Sequence, residues 1–114
     1  MELKTDLWAA ALMRRAQVAG AFAGVVRKGD PDAGAVLVKV ATMDGKARLY
    51  APALGSDGER IYLDLSKGPL GNEERAVDEY ARKRAAGDPD VWLIEIEDRA
   101  GRHFLTEPID PKSV

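Results

Sequence analysis

The chain has 114 residues, with 46% hydrophobic and 32% charged side chains and a formal net charge of −2. That length holds one core and is too short for two, and the composition is neither that of a disordered chain nor, at a pI near 5.4, that of a dedicated nucleic-acid binder. It contains no cysteine, which excludes a disulfide framework, a thiolate nucleophile and thiolate metal sites.

Charge is uneven along the chain, at +4 from Arg14 to Arg48 and −5 from Leu49 to the end. The apolar run LWAAALM is short for a bilayer span and follows Glu2, Lys4 and Asp6 instead of a basic leader. A cytoplasmic protein with no membrane association is therefore expected, and nucleic acid is not its natural partner.

Asp6 to about Gly20 reads as a helix, with Thr5 or Asp6 as its cap and alanine supplying propensity. On a helical wheel Leu7, Val18, Ala11, Phe22, Trp8, Ala19 and Leu12 form one apolar arc, and Gln17, Ala10, Met13 and Ala9 make up a barely polar opposite side. Such a helix is expected to be covered twice, by its own sheet and by a loop or second subunit. Arg15 falls inside the apolar arc, where a guanidinium must snorkel, pair with a buried acid or bind an anion.

AFAGVVR suits a strand, and GDPDAG a turn in which Pro31 presets φ and the glycines permit positive φ. AVLVKVA is the next strand. Asp44-Gly45 then predicts a two-residue type I′ hairpin. Pairing Met43 with Lys46 puts Val40 opposite Leu49 and Val38 opposite Ala51 on an apolar face, and Lys39 opposite Tyr50 on the other, beside Arg48. Lys39, Arg48 and Tyr50 are thereby candidates for a basic RNA-binding sheet face. Pro52 is expected to close that strand.

GSDGER reads as a turn, IYLDL as a fourth strand, and Asn72 as the cap of a second helix running to about Ala86. The thin apolar stripe of that helix, Val77, Tyr80, Ala81 and Ala85, places it on the surface. The second GDPD ends it, with Gly87 in the left-handed terminal position and Pro89 blocking continuation. The two GDPD copies thus read as turn chemistry used before each strand pair.

VWLIEIED alternates Trp92, Ile94 and Ile96 with Val91, Leu93, Glu95 and Glu97. DRAGR predicts a turn with Gly101 left-handed, followed by a sixth strand in which His103 faces Glu97, or Asp98 if the loop is shorter. His103 is the only histidine, so a multi-histidine site is excluded. Beside a carboxylate it is a candidate general base. Residues 107–114 are expected to be an extended tail.

The whole chain, 1–114, is read as a single two-layer α+β domain, an antiparallel sheet of five or six strands with two helices in the order α-β-β-β-β-α-β-β. The sequence favours a non-enzymatic interaction or regulatory module, homodimeric through the first helix. The alternatives are a small-molecule or anion-binding enzyme using Arg15, His103 and Glu97 or Asp98, and RNA binding through Lys39, Arg48 and Tyr50. No phosphate loop, nucleophile elbow or calcium loop is present, so neither a cofactor nor a metal is called for.

LKTDLWAAALMRRAQVAGAFAGVVRKGDPDAGAVLVKV together with DPDVWLIEIEDRAGRHFL resembles an uncharacterised family of small bacterial proteins of about this length, a domain of unknown function. The resemblance implies a stand-alone bacterial cytosolic protein. It brings no activity, cofactor, partner or catalytic residue with it.

Overall fold

The computed structural model describes residues 3–111. Helix α1 spans Thr5–Val18, strand β1 Phe22–Arg27, β2 Val36–Ala41, β3 Ala47–Leu54, β4 Arg60–Asp64, helix α2 Glu74–Ala86 and β5 Trp92–Glu97, with a 3-10 turn at Leu65–Lys67. The five strands form one sheet in the order β1-β5-β2-β3-β4. The α+β class, the two helices and the single sheet are as the sequence indicates.

Two features of the layout differ from the expected one. The sheet is mixed: β5 lies between β1 and β2, antiparallel to the first and parallel to the second. The α2 crossover returns the chain to the starting side of the sheet, as a parallel neighbour requires. The helices also lie on opposite faces, making three layers. Ala9, Leu12 and Ala16 of α1 pack on Val36, Val38, Val40, Ile94 and Ile96. Val77, Ala81 and Ala85 belong to the other face, with Leu37, Ala41, Leu49 and Leu93. The apolar residues of β2 and β5 on both faces are what such central strands need.

No sixth strand forms among the described residues. Gly101 is left-handed, at φ 74°, and its amide closes the turn onto the Asp98 carbonyl at 2.9 Å. The following segment then leaves β5, whose two edges are already occupied, and runs over the open end of the α1 face. It meets β4 at Tyr62, whose amide donates to the Pro108 carbonyl at 2.9 Å and whose carbonyl accepts from Asp110 at 2.9 Å. The Trp8 indole donates to Glu107 at 2.7 Å and stacks on Tyr62. The expected fraying of residues 112–114 lies outside the described residues.

The β2–β3 hairpin is one residue out of the anticipated register: Ala41 pairs with Ala47, Val40 with Arg48, Lys39 with Leu49 and Val38 with Tyr50. The loop is longer than two residues because Thr42 bonds Lys46 and the positive φ values fall at Met43 and Gly45, not at Asp44 and Gly45. Docking on α2 accounts for the longer loop. Its Gly45 carbonyl accepts from the Glu74 amide at 3.0 Å, and the Ala47 amide donates to the Asn72 carbonyl at 2.9 Å. These bonds replace the expected Asn72 side-chain cap. Likewise Thr5 does not cap α1. Its hydroxyl donates to the Gly34 carbonyl at 3.2 Å, while the Asp6 amide uses the Pro31 carbonyl at 2.9 Å. Pro52 stays within β3, pairing with Tyr62, because β2 no longer pairs beyond Tyr50 and no donor is missed there.

The two GDPD turns meet. The Asp30 amide donates to the Asp90 carbonyl at 3.0 Å, and the Trp92 indole donates to the Asp30 carbonyl at 2.8 Å. Asp30 and Asp88 each accept the amide two residues on, at 3.1 and 3.0 Å. The glycines are needed for space instead of positive φ. A Cβ on Gly29 or Gly34 would fall 2.1 or 2.0 Å from the Asp90 carbonyl oxygen. Gly87 is right-handed, at φ −84°, so α2 lacks the expected left-handed terminus. Its end is held by Arg27, whose guanidinium donates to the carbonyls of Ala85, Asp88 and Val91.

Candidate functional site

The first helix buries a different side from the one its apolar arc indicated. Thr5, Ala9, Leu12 and Ala16 face the sheet, while Leu7 and Val18 remain 56% and 73% exposed on the outward side. Of the nine large apolar residues exposed among those described, Leu3, Leu7 and Val18 lie in or just before α1 and Phe22, Val25 and Val26 on β1. β1 is an edge strand, paired only with β5, and its edge is blunted by a bulge between Val25 and Arg27 and by the Gln17 amide on the Ala23 carbonyl at 3.2 Å. The apolar surface of this corner therefore centres on α1.

Arg15 stands at the border of that helix's buried side. Its Nε donates to the Phe104 carbonyl at 3.0 Å, and its Nη2 is buried with no hydrogen-bond partner. His103 is half-buried. Its Nδ1 accepts the Leu105 amide at 2.9 Å, which leaves the proton on Nε2, and its ring stands edge-on to Tyr50 at 5.0 Å. Burial lowers the His103 pKa below 6.5, against the opposing pull of the Asp64 charge.

Neither Glu97 nor Asp98 faces this histidine, because the strand that would have set them opposite each other does not form. Asp98 is bound instead by Arg102, through Nε at 3.0 Å, Nη2 at 2.9 Å and the backbone amide at 2.8 Å. That clamp holds its carboxyl below the ordinary aspartate range. Glu97 lies on the α2 side of the sheet end, paired in register with Phe22 and Ala41. Arg15 and His103 thus share a segment but point to different partners.

Lys39 is separated from Arg48 and Tyr50 by the register. Arg48 and Tyr50 lie on the α1 face, where Arg48 donates to the buried Asp64 carboxylate at 2.8 Å. Asp64 also accepts the Ser66 hydroxyl and the Ser66 amide. Tyr50 is buried, which together with the Asp64 charge pushes its phenol up to about 12. The structure does not assemble these three side chains on one sheet face.

On the opposite face Lys39 is the hub of a cluster that sequence reasoning missed. With its side chain 4% exposed, its ammonium lies 2.6 Å from Asp78 Oδ1, 2.8 Å from Glu74 Oε2 and 3.2 Å from Glu95 Oε1. Burial alone would depress the ammonium pKa. The hydrogen bonds from Asp78 and Glu74 and the charge of Glu95 outweigh it and raise the value above 10.5. The signal was present: a lysine inside VLVKVA, and Glu74 and Asp78 four residues apart on α2.

The cluster closes one end of a groove of about 540 Å³ between α2 and the β5–β1 half of the sheet. Leu93 and Val26 lie on its sheet side, Ala85 and Ala86 on its helix side, and Arg27 and Arg82 complete the lining. The groove stays open on its helix side because α2 presents alanines there.

No helix among the described residues is long and apolar enough to cross a membrane. The comparison with curated proteins finds no match. Among solved structures, the chain is similar to a crystal structure of a DUF1491 family protein from Caulobacter crescentus CB15, at 53% identity and TM-score 0.86, covering 96% of this chain and 100% of that one. An NMR structure of a DUF1491 family protein from the same organism aligns at 53% identity and TM-score 0.83, over 96% of this chain and 98% of that one. A solution structure from A. tumefaciens aligns at 32% identity and TM-score 0.77, over 97% and 98%. Residues 3–106 match the family described as "Protein of unknown function (DUF1491)", and the chain belongs to that family.

Proposed function

We propose that the protein is a non-catalytic interaction module that associates with a second copy of itself through the outward face of α1. The observation that carries this reading is the exposed stripe of Leu7 and Val18, with Leu3 continuing it, on a helix whose other side is already packed. In an antiparallel, two-fold pairing, Leu7 of one copy meets Val18 of the other. Ala11 then faces Arg14 and gives it room. A single helix stripe buries less than the roughly 800 Å² per partner of a stable interface, so the expected association is weak.

A non-catalytic role is also supported by how the ionisable groups are spent. Lys39 is held by three acids, Asp98 by Arg102, and Arg48 by Asp64. The enzyme alternative, through Arg15 and His103, has less support because neither Glu97 nor Asp98 reaches the histidine. Sedimentation velocity and light scattering over a wide concentration range test the proposal. The wild type is expected to shift toward dimer as concentration rises, and Leu7→Glu or Val18→Glu to stay monomeric with an unchanged circular dichroism spectrum. A wild type that remains monomeric at millimolar concentration overturns it.

A further inference from the structure

The groove beside α2 carries charge of opposite sign at its two ends. At the Lys39 end three carboxylates surround one ammonium, leaving an excess of negative charge. Asp78 and Glu95, which line the groove, each give one oxygen to Lys39. At the other end stands Arg27, whose guanidinium is bonded to backbone carbonyls and to no carboxylate among the described residues. Arg82 joins it on the helix side. Although four residues from Asp78, it forms no ion pair with it, because Asp78 is turned toward Lys39. The wall between the ends is aliphatic: Leu93, Val26, Ala85 and Ala86.

We propose that this groove binds a small amino acid whose cationic side-chain head and carboxylate are separated by an aliphatic chain, as in arginine and lysine, with the α-ammonium left facing solvent. Seven residues of α2 separate Asp78 from Ala85, about 10 Å of helix rise. A chain of about five atoms with an ion pair of roughly 2.8 Å at each end fits that separation. The cationic head sits at the outer oxygens of Asp78 and Glu95, the chain lies over Leu93 and Val26, and the carboxylate meets Arg82 and Arg27. A ligand with only one of the charges forgoes one ion pair. A ligand with the charges on adjacent atoms reaches only one end.

The test is a titration of the 15N-labelled protein with L-arginine, followed by amide shifts. Saturable shifts are expected at Val26, Asp78, Arg82, Leu93 and Glu95. Norleucine, which lacks the side-chain cation, and agmatine, which lacks the carboxylate, should each bind at least about tenfold more weakly, a difference of about 1.4 kcal/mol. Ala86→Trp, at an exposed lining position, should abolish the shifts while leaving the melting temperature and circular dichroism spectrum unchanged. Arg82→Gln should weaken arginine and leave agmatine unaffected. The proposal is overturned by shifts that do not saturate, by shifts that persist in Ala86→Trp, or by agmatine or norleucine binding as well as arginine.

Discussion

Replacing Lys39 by methionine keeps the volume and apolar stem of the side chain and removes only its charge. In the wild type the ammonium satisfies Asp78, Glu74 and Glu95, whose side chains are 54%, 34% and 26% exposed. Removing one partner of a fully buried ion pair costs about 3 to 5 kcal/mol because the other charge is stranded. Here the carboxylates can rehydrate in part, but three of them are left facing one another, so the expected loss is about 3 kcal/mol. For a domain of this size that lowers Tm by roughly 12 °C. Urea denaturation followed by Trp8 and Trp92 fluorescence measures it, with Glu95→Gln added to the methionine variant as the control. Removing one repelling charge should restore part of the loss. The folded ammonium pKa lies above its ordinary 10.5, so this stability is complete below pH 10.5 and is lost as pH rises through the folded value. The methionine variant should lack that alkaline loss. A Lys39→Met protein within about 0.5 kcal/mol of wild type would refute the reasoning.

His103 predicts an acid-side effect of opposite sense. Burial lowers its pKa below 6.5, so the unfolded chain takes up a proton first and stability falls as pH drops through 6.5 toward the folded value. His103→Phe keeps the ring against Tyr50 and should flatten urea midpoints across that window, with an NMR titration of the imidazole as the direct check. Gly34→Ala should destabilise the fold by about 3 kcal/mol or more, since its Cβ would fall 2.0 Å from the Asp90 oxygen. Gly45→Ala, left-handed but with open space around it, should cost only about 1 to 2 kcal/mol by the same chemical denaturation. Arg27→Gln removes the guanidinium from the last carbonyls of α2. Amide exchange at residues 83–88 should then accelerate, while that of β2 is unchanged.

Alternation and turn residues made the elements legible. Trp92, Ile94 and Ile96 face α1, and the alternate set faces α2, as period two requires. Strand order was not legible, because nothing local in VWLIEIED says whether its partner follows in sequence or lies far back, as Val36 does from Trp92. The hairpin shows how small the deciding term is. Asp44-Gly45 favours a two-residue loop, yet two backbone bonds to the start of α2 hold a longer one and shift β3 by one residue. That single step exchanges faces, parting Lys39 from Arg48 and Tyr50.

The α1 wheel failed for a related reason. Alanines pack closely, so the side against the sheet is Ala9, Leu12 and Ala16, and the bulkier Leu7 and Val18 are left outside. Hydrophobicity ranks residues by transfer from water, whereas a helix lying tightly on a sheet selects for size as well.

The repeated GDPD shows the same competition between local and distant requirements. Each copy makes its own aspartate turn, as its residues dictate. Which carbonyl each turn would meet could not be read from either copy alone. Asp90 of the second turn lies against Gly29 and Gly34 of the first, so close that neither glycine has space for a methyl group. The contact joins the end of β1 to the start of β5, and Arg27, two residues before Gly29, reaches the end of α2. The alignment of α2 over the sheet is thereby tied to the two turns, and with it the width of the groove between Ala85 and Leu93. A substitution at Gly34 that leaves the protein folded should therefore alter ligand shifts in the groove, although Gly34 does not line it. If such a variant binds arginine as the wild type does, the turns act on stability alone.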